Sequence, residues 1–169
     1  MQTSACMQMH YVNKKIYTMD TIEKSVEVLN DLIEINNDRV EGFEKAIADL
    51  SDNDADLKSL FLEYSQQSRI NTQELTQAVS RYDNDVKTGS SVSGAIHRAW
   101  IDVRAVFTGK DRAGILAECE RGEDAIKKAY QSALTEGDLS GELSVLISRQ
   151  AQQQKLAHDK VKALRDSAK

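Results

Sequence analysis

The chain has 169 residues with no proline and two cysteines, and its net charge is −5. The length suits one domain with a substantial core, and the absence of proline favours long, uninterrupted helices. The acidic balance argues against a nucleic-acid partner, which a basic face would attract. The sequence contains no apolar run of about 18 residues, so we expect no membrane-spanning helix and no membrane partner.

Residues 1–19 differ in pattern from the rest of the chain, because they show no helical period. They also lack the continuous apolar stretch of a secretory signal. We interpret them as a disordered tail, or as an extension upstream of an alternative start at Met19. Cys6 lies in this tail and Cys119 in a predicted helix, so the two do not form a disulfide framework, which fits a reducing, cytoplasmic setting.

Residues 20–167 are interpreted as one domain, because their apolar residues recur at alternating steps of three and four. This is the pattern of helices that pack along a seam. We predict four helices, over residues 20–50, 54–83, 111–135 and 140–166. Asp20 and Glu23 form a capping box at the first helix, and Asp111 has a cap position at the third. Short turns pair the first helix with the second, and the third with the fourth.

The connection over residues 83–110 is too long for a turn. It breaks at Gly89-Ser90-Ser91 and then continues with an apolar helical face that includes Trp100, which predicts a short helix over residues 92–107. A connection of this length can run from one end of a bundle to the other. The sequence therefore predicts an all-α, ferritin-like four-helix bundle with a long crossover between the second and third helices.

The first helix carries a second apolar stripe beside its seam, formed by Val28, Leu32 and Ile35. A single seam cannot bury this stripe. We expect it to pack against the crossover helix or, if it stays exposed, to form a homodimer through the first helix.

Polar residues interrupt the seam of every predicted helix near its midpoint. The interrupting residues are Asn36, Ser68, Asn71, Glu123, Gln150 and Gln154. Side by side they form one polar layer halfway along the bundle, where ferritin-like proteins hold two metal ions with Glu and Glu-x-x-His ligands. Amides and hydroxyls are poor ligands for iron or manganese, so we expect a layer without metal or cofactor that fixes helix register. Glu123 is then expected to be hydrogen-bonded by neutral amides, and Glu123→Gln to be tolerated.

A displaced metal site is the alternative. Glu44, Glu120 and His158 flank the seams one to two turns to the same side of the layer. Together with Glu123 they would offer three carboxylates and one imidazole to iron or manganese. The competing interpretation is that these residues are ordinary charged groups at helix edges.

Four stretches of the sequence resemble a bacterial ferritin-like family of four-helix-bundle proteins that is catalogued as a domain of unknown function. They are AIHRAWI at residues 95–101, LAECERGED at 116–124, GFEKA at 42–46 and AHD at 157–159. The resemblance covers roughly residues 20–167 and implies a ferritin-like fold with a loose association with stress response. It implies no established activity. We therefore expect a non-enzymatic, stress-associated or interaction protein, with a metal-dependent oxidoreductase or iron-handling protein as the alternative.

Overall fold

The computed structural model describes the backbone of residues 3–82, 111–137, 139 and 141–168, and the side chains of these from residue 21 onward except that of residue 136. Within these residues the α-helices are α1 (Thr3–Asp49), α2 (Ala55–Ser80), α3 (Arg112–Glu136) and α4 (Gly141–Ser167), and a short 3-10 helix (Asp52–Asp54) joins α1 to α2. No strand occurs within these ranges, so the all-α prediction is confirmed. The predicted crossover helix at 92–107 lies outside the described residues.

The start of α1 differs from the sequence prediction. The helix begins at Thr3 and has 47 residues, whereas a disordered tail was predicted over residues 1–19. This stretch contains neither glycine nor proline. Extending an existing helix is far easier than nucleating one, so the residues before Asp20 continue the helix that the bundle stabilises. The alternative start at Met19 stays a prediction.

Ion pairs at the two ends of the bundle show which helix ends lie next to each other. At the start of α3, Arg112 contacts Asp54 and Asp56 at the start of α2, each with an N–O distance of 2.7 Å. At the other end, Arg81 beyond α2 lies 3.0 Å from Glu142 at the start of α4. Helices α2 and α3 therefore run in the same direction, and α4 runs in the opposite one. Helix α1 also runs opposite to α2, because the two helices pack together and only a short connection joins them. This up-down-down-up order is the connectivity predicted for one long connection between α2 and α3.

The apolar core is divided into two clusters. One contains Leu29, Leu32, Ile35, Leu75, Ala78, Ile126, Ala129, Tyr130, Ala133, Leu143 and Ile147. The other contains Phe43, Ala46, Leu50, Leu57, Phe61, Tyr64, Ile115, Leu116, Cys119, Ala157 and Val161. On each helix the polar interruptions lie in sequence between the members of the two clusters. The polar layer therefore separates the two halves of the core.

The buried face of α1 is wider than the predicted seam. Leu32 and Ile35, assigned to a separate stripe, are fully buried in the first cluster, and Val28 packs against it. Ile33 and Ile47, which fit the steps of three and four along this helix, are only half-buried. The reason is that α1 contacts both α2 and α3, so that it buries two adjacent stripes. A homodimer through α1 stays a prediction, but the stripe that suggested it is buried within one chain.

Among the residues that the structure describes, no helix combines the length and the apolar character needed to cross a membrane.

Candidate functional site

The predicted polar layer is buried in the structure. All six of its residues are at most 1% exposed, and all four helices contribute to it. Burying so many polar groups is costly unless they find hydrogen-bond partners. The partners therefore decide what the layer can do.

The centre of the layer holds a salt bridge that the sequence analysis missed. Arg39 on α1 forms two parallel hydrogen bonds to Glu123 on α3, from Nε to Oε1 at 2.6 Å and from Nη2 to Oε2 at 3.0 Å. The two side chains are only 2% and 1% exposed. Nη1 of Arg39 also donates to Ser68 Oγ at 2.8 Å and to the backbone oxygen of Tyr64 at 3.1 Å. The guanidinium therefore joins α1, α2 and α3 at one point.

Aromatic rings cover the guanidinium of Arg39. Its Cζ lies 4.9 Å from the ring centre of Phe43 and 5.4 Å from that of Tyr64, distances typical of cation–π contacts. Burial, followed by the nearby charge of Glu123, raises the pKa of Tyr64 to about 12. Arg39 is buried beside these rings, and Glu123 is its sole charged partner among the described contacts.

This geometry corrects the sequence prediction for Glu123. Its carboxylate is paired with a cation, not with the neutral amides that we expected. The sequence pattern does not single out Arg39, because the adjacent Val40 is the apolar residue that continues the steps of three and four. Arg39 follows Asn36 by three residues and precedes Phe43 by four, and this spacing places it on the same helical face as both. The correction also reverses the expected effect of Glu123→Gln, which would leave the buried guanidinium of Arg39 without a counter-charge.

A second chain of hydrogen bonds runs from the layer to the surface. Asn36 Nδ2 donates to the hydroxyl of Tyr130, and that hydroxyl donates to Gln150 Oε1, both at 2.8 Å. Gln150 Nε2 then donates to Glu74 at 2.8 Å, and Glu74 also accepts a bond from Arg149. Burial raises the pKa of Tyr130 to about 12, so its hydroxyl keeps the proton that it donates. Tyr130 therefore connects α1 to α4.

The four residues of the predicted displaced metal site do not share one site. Glu44 is about half exposed and pairs with Arg69, and Glu123 pairs with Arg39. Glu120 and His158 are both buried and do come together, with Asp124 as a third residue that the sequence analysis missed. One ligand atom from each of these three lies within 4.8 Å of the others. Asp124 follows Glu120 by four residues on α3, a spacing that could have indicated it.

Cations already face this cluster. Nζ of Lys127 lies 3.1 Å from both Asp124 Oδ1 and His158 Nε2, and Arg165 pairs with Glu120. Burial raises the pKa of Asp124, but its hydrogen bond with Lys127 and the charges nearby lower it overall. The cluster therefore has the ligand types for a metal, together with protein cations that compete for them.

Comparison with known proteins identifies a family. The family described as Domain of unknown function (DUF2383) matches residues 24–136, two thirds of the chain, and the chain therefore belongs to it. This confirms the predicted resemblance to a family catalogued as a domain of unknown function. No curated protein and no solved structure gives a significant match. Arg39, Glu123 and Tyr130 lie within the matched residues, whereas Gln150 and His158 on α4 lie beyond them.

Proposed function

We propose that this member of the DUF2383 family is a non-enzymatic helical-bundle protein without bound metal, which acts by interacting with other molecules or in a stress response. The observation that supports this most directly is the buried pair of Arg39 and Glu123. It places a fixed positive charge on the only carboxylate of the predicted polar layer.

The donor set of the layer does not fit a di-metal centre. Such a centre uses a Glu from each of two helices and Glu-x-x-His from each of the other two. The layer instead offers neutral amides and a hydroxyl from α1, α2 and α4. Both oxygens of its one carboxylate, on Glu123, accept hydrogen bonds from Arg39. A guanidinium thus supplies the positive charge that metal ions supply in ferritin-like enzymes.

The ferritin-like relationship, the stress role and the cellular location are each supported by a different feature. The up-down-down-up order of the helices is the connectivity of ferritin-like bundles, which favours that relationship. The role in bacterial stress response rests on the resemblance of the motifs at residues 42–46, 95–101, 116–124 and 157–159. The cytoplasmic location rests on Cys6 and Cys119, which do not form a disulfide framework.

A metal-dependent oxidoreductase or iron-handling protein is the second candidate, and the meeting of Glu120, Asp124 and His158 favours it. Iron or manganese accepts such a mixture of carboxylates and imidazole. Binding would require the ion to displace the ammonium of Lys127 and the guanidinium of Arg165. We rank this candidate second because those cations are intramolecular and always present.

Metal analysis tests the two candidates against each other. The protein would be purified without chelator from medium supplemented with iron and manganese, and its metal content measured by mass spectrometry together with aerobic oxidation of Fe²⁺. We expect less than stoichiometric metal and oxidation no faster than in buffer. Stoichiometric metal that is lost in His158→Ala would establish the second candidate. Metal lost in Glu123→Gln but kept in His158→Ala would place it in the polar layer and contradict the proposal.

A further inference from the structure

Four side-chain atoms in the polar layer are buried without a hydrogen-bond partner. They are Oδ1 of Asn36, Nδ2 of Asn71, and both Oε1 and Nε2 of Gln154. The three residues are at most 1% exposed and lie on α1, α2 and α4. Buried polar atoms are nearly always paired in folded proteins, with protein groups or with ordered water.

The three residues lie near one another in the layer. The other amide atom of Asn36 donates to the hydroxyl of Tyr130 at 2.8 Å. The side chain of Gln154 also approaches that hydroxyl, although its amide does not reach hydrogen-bonding geometry. The backbone oxygen of Asn71 accepts a bond of 3.5 Å from Gln150, which itself accepts from Tyr130. All three residues therefore border the contact between Tyr130 and Gln150, Asn36 and Gln154 through their side chains and Asn71 through its backbone.

The chemistry of the set selects the kind of ligand. Asn36 and Gln154 offer oxygens that accept, whereas Asn71 and Gln154 offer N–H groups that donate. A metal ion would leave the N–H donors unpaired, and an anion would be repelled by the two amide oxygens. Neither therefore matches the whole set. A water molecule both donates and accepts, and buried waters typically make about three hydrogen bonds to such groups.

We propose that the polar layer contains a binding site for an ordered water molecule, formed by Asn36, Asn71 and Gln154. The water links α1 and α2 to α4 and completes the hydrogen bonding that the side chains leave unfinished. It has a structural effect, because it fixes α4 to the part of the chain that matches the family.

Nuclear magnetic resonance tests the site in the unaltered protein. Paired laboratory-frame and rotating-frame Overhauser experiments on ¹⁵N-labelled protein should show direct cross-peaks between water and the side-chain amide protons of Asn71 and Gln154. The cross-peaks should have opposite signs in the two experiments, which is the signature of a long-lived bound water. The absence of these cross-peaks, with cross-peaks between the amides themselves, would overturn the proposal, because the amides would then pair directly.

The variant Gln154→Met provides an independent measurement, because it keeps the length of the side chain and removes both polar atoms. If water is bound, the thermal midpoint should fall by a few degrees, since the water loses partners. If Gln154 is truly unpaired, removing its polar atoms should raise the midpoint, and this result would also overturn the proposal. Gln152→Met, at an exposed position on the same helix, is the matched control and should leave the midpoint nearly unchanged.

Discussion

Two arginines in this protein make the same kind of contact in opposite surroundings. Arg39 binds Glu123 through two hydrogen bonds of 2.6 and 3.0 Å, and Arg112 binds Asp56 through two of 2.9 and 2.7 Å. The side chains of the first pair are 2% and 1% exposed, whereas those of the second are 36% and 60% exposed. Geometry alone therefore does not distinguish the two pairs, and burial must.

The difference lies in what each pair leaves behind when it is broken. Water can solvate Arg112 or Asp56 as soon as the partner is removed, so an exposed pair contributes little to stability. Arg39 and Glu123 have no such alternative, because aromatic rings and the packed helices surround them. Removing either partner of a buried pair therefore destabilises the fold strongly, even where the intact pair adds little net stability.

The largest effect is predicted for Arg39→Ala. It leaves the carboxylate of Glu123 buried without a counter-charge, and we expect a loss of about 3–5 kcal/mol in the free energy of unfolding. Urea denaturation followed by circular dichroism would measure it. Glu123→Gln should cost a comparable amount, because it leaves the guanidinium unpaired.

A double variant distinguishes the loss of the whole ion pair from the cost of leaving one charge buried alone. Arg39→Met combined with Glu123→Leu removes both charges and keeps much of the volume, so it should be considerably more stable than either single variant. Single variants that lose less than about 1 kcal/mol would show that the inner pair behaves like an exposed one, and the contrast with Arg112 would disappear.

An intermediate effect is predicted for Tyr130→Phe. The variant keeps the ring in the core but removes the hydroxyl that joins Asn36 to Gln150. Leaving buried amide groups without a partner should cost about 1–3 kcal/mol in the free energy of unfolding. Tyr64→Phe keeps the ring that covers Arg39 and is the matched control. If the control loses as much stability as Tyr130→Phe, the hydrogen-bond chain through Tyr130 adds nothing specific.

The sequence predicts much of this arrangement and misses its centre for a physical reason. The steps of three and four in the helices identify Glu123 and Gln150 as core positions, because periodicity reports which face is buried. The same periodicity treats arginine as a surface residue, so Arg39 was not considered although its spacing fits. Burial of a charge depends on a partner from another helix, and pairing across 84 residues leaves no local pattern.

The start of α1 was missed for a different reason. Residues 3–19 lack an amphipathic pattern, and such a pattern reports packing more than it reports helix formation. The backbone there is helical because it continues a helix that the bundle already holds, and nothing in the sequence interrupts it.

The smallest effect on stability is predicted at the exposed pair of Arg112 and Asp56, and it should depend on pH. The hydrogen bonds from Arg112 lower the pKa of Asp56 from its ordinary value of 3.8 to about 2. Since the pKa is lower in the folded protein than in the unfolded chain, the pair stabilises the fold above about pH 4 and loses this effect as the pH falls towards 2. Asp56→Asn should therefore lower the thermal midpoint slightly at pH 7, and most of the difference from the parent protein should be lost as the pH falls to about 2. Asp52→Asn, at a fully exposed carboxylate bonded to Lys58, is the control. A difference that stays constant between pH 7 and pH 2 would mean that Asp56 acts through packing and not through its charge, and the outer pair would then no longer be an electrostatic counterpart of Arg39 and Glu123.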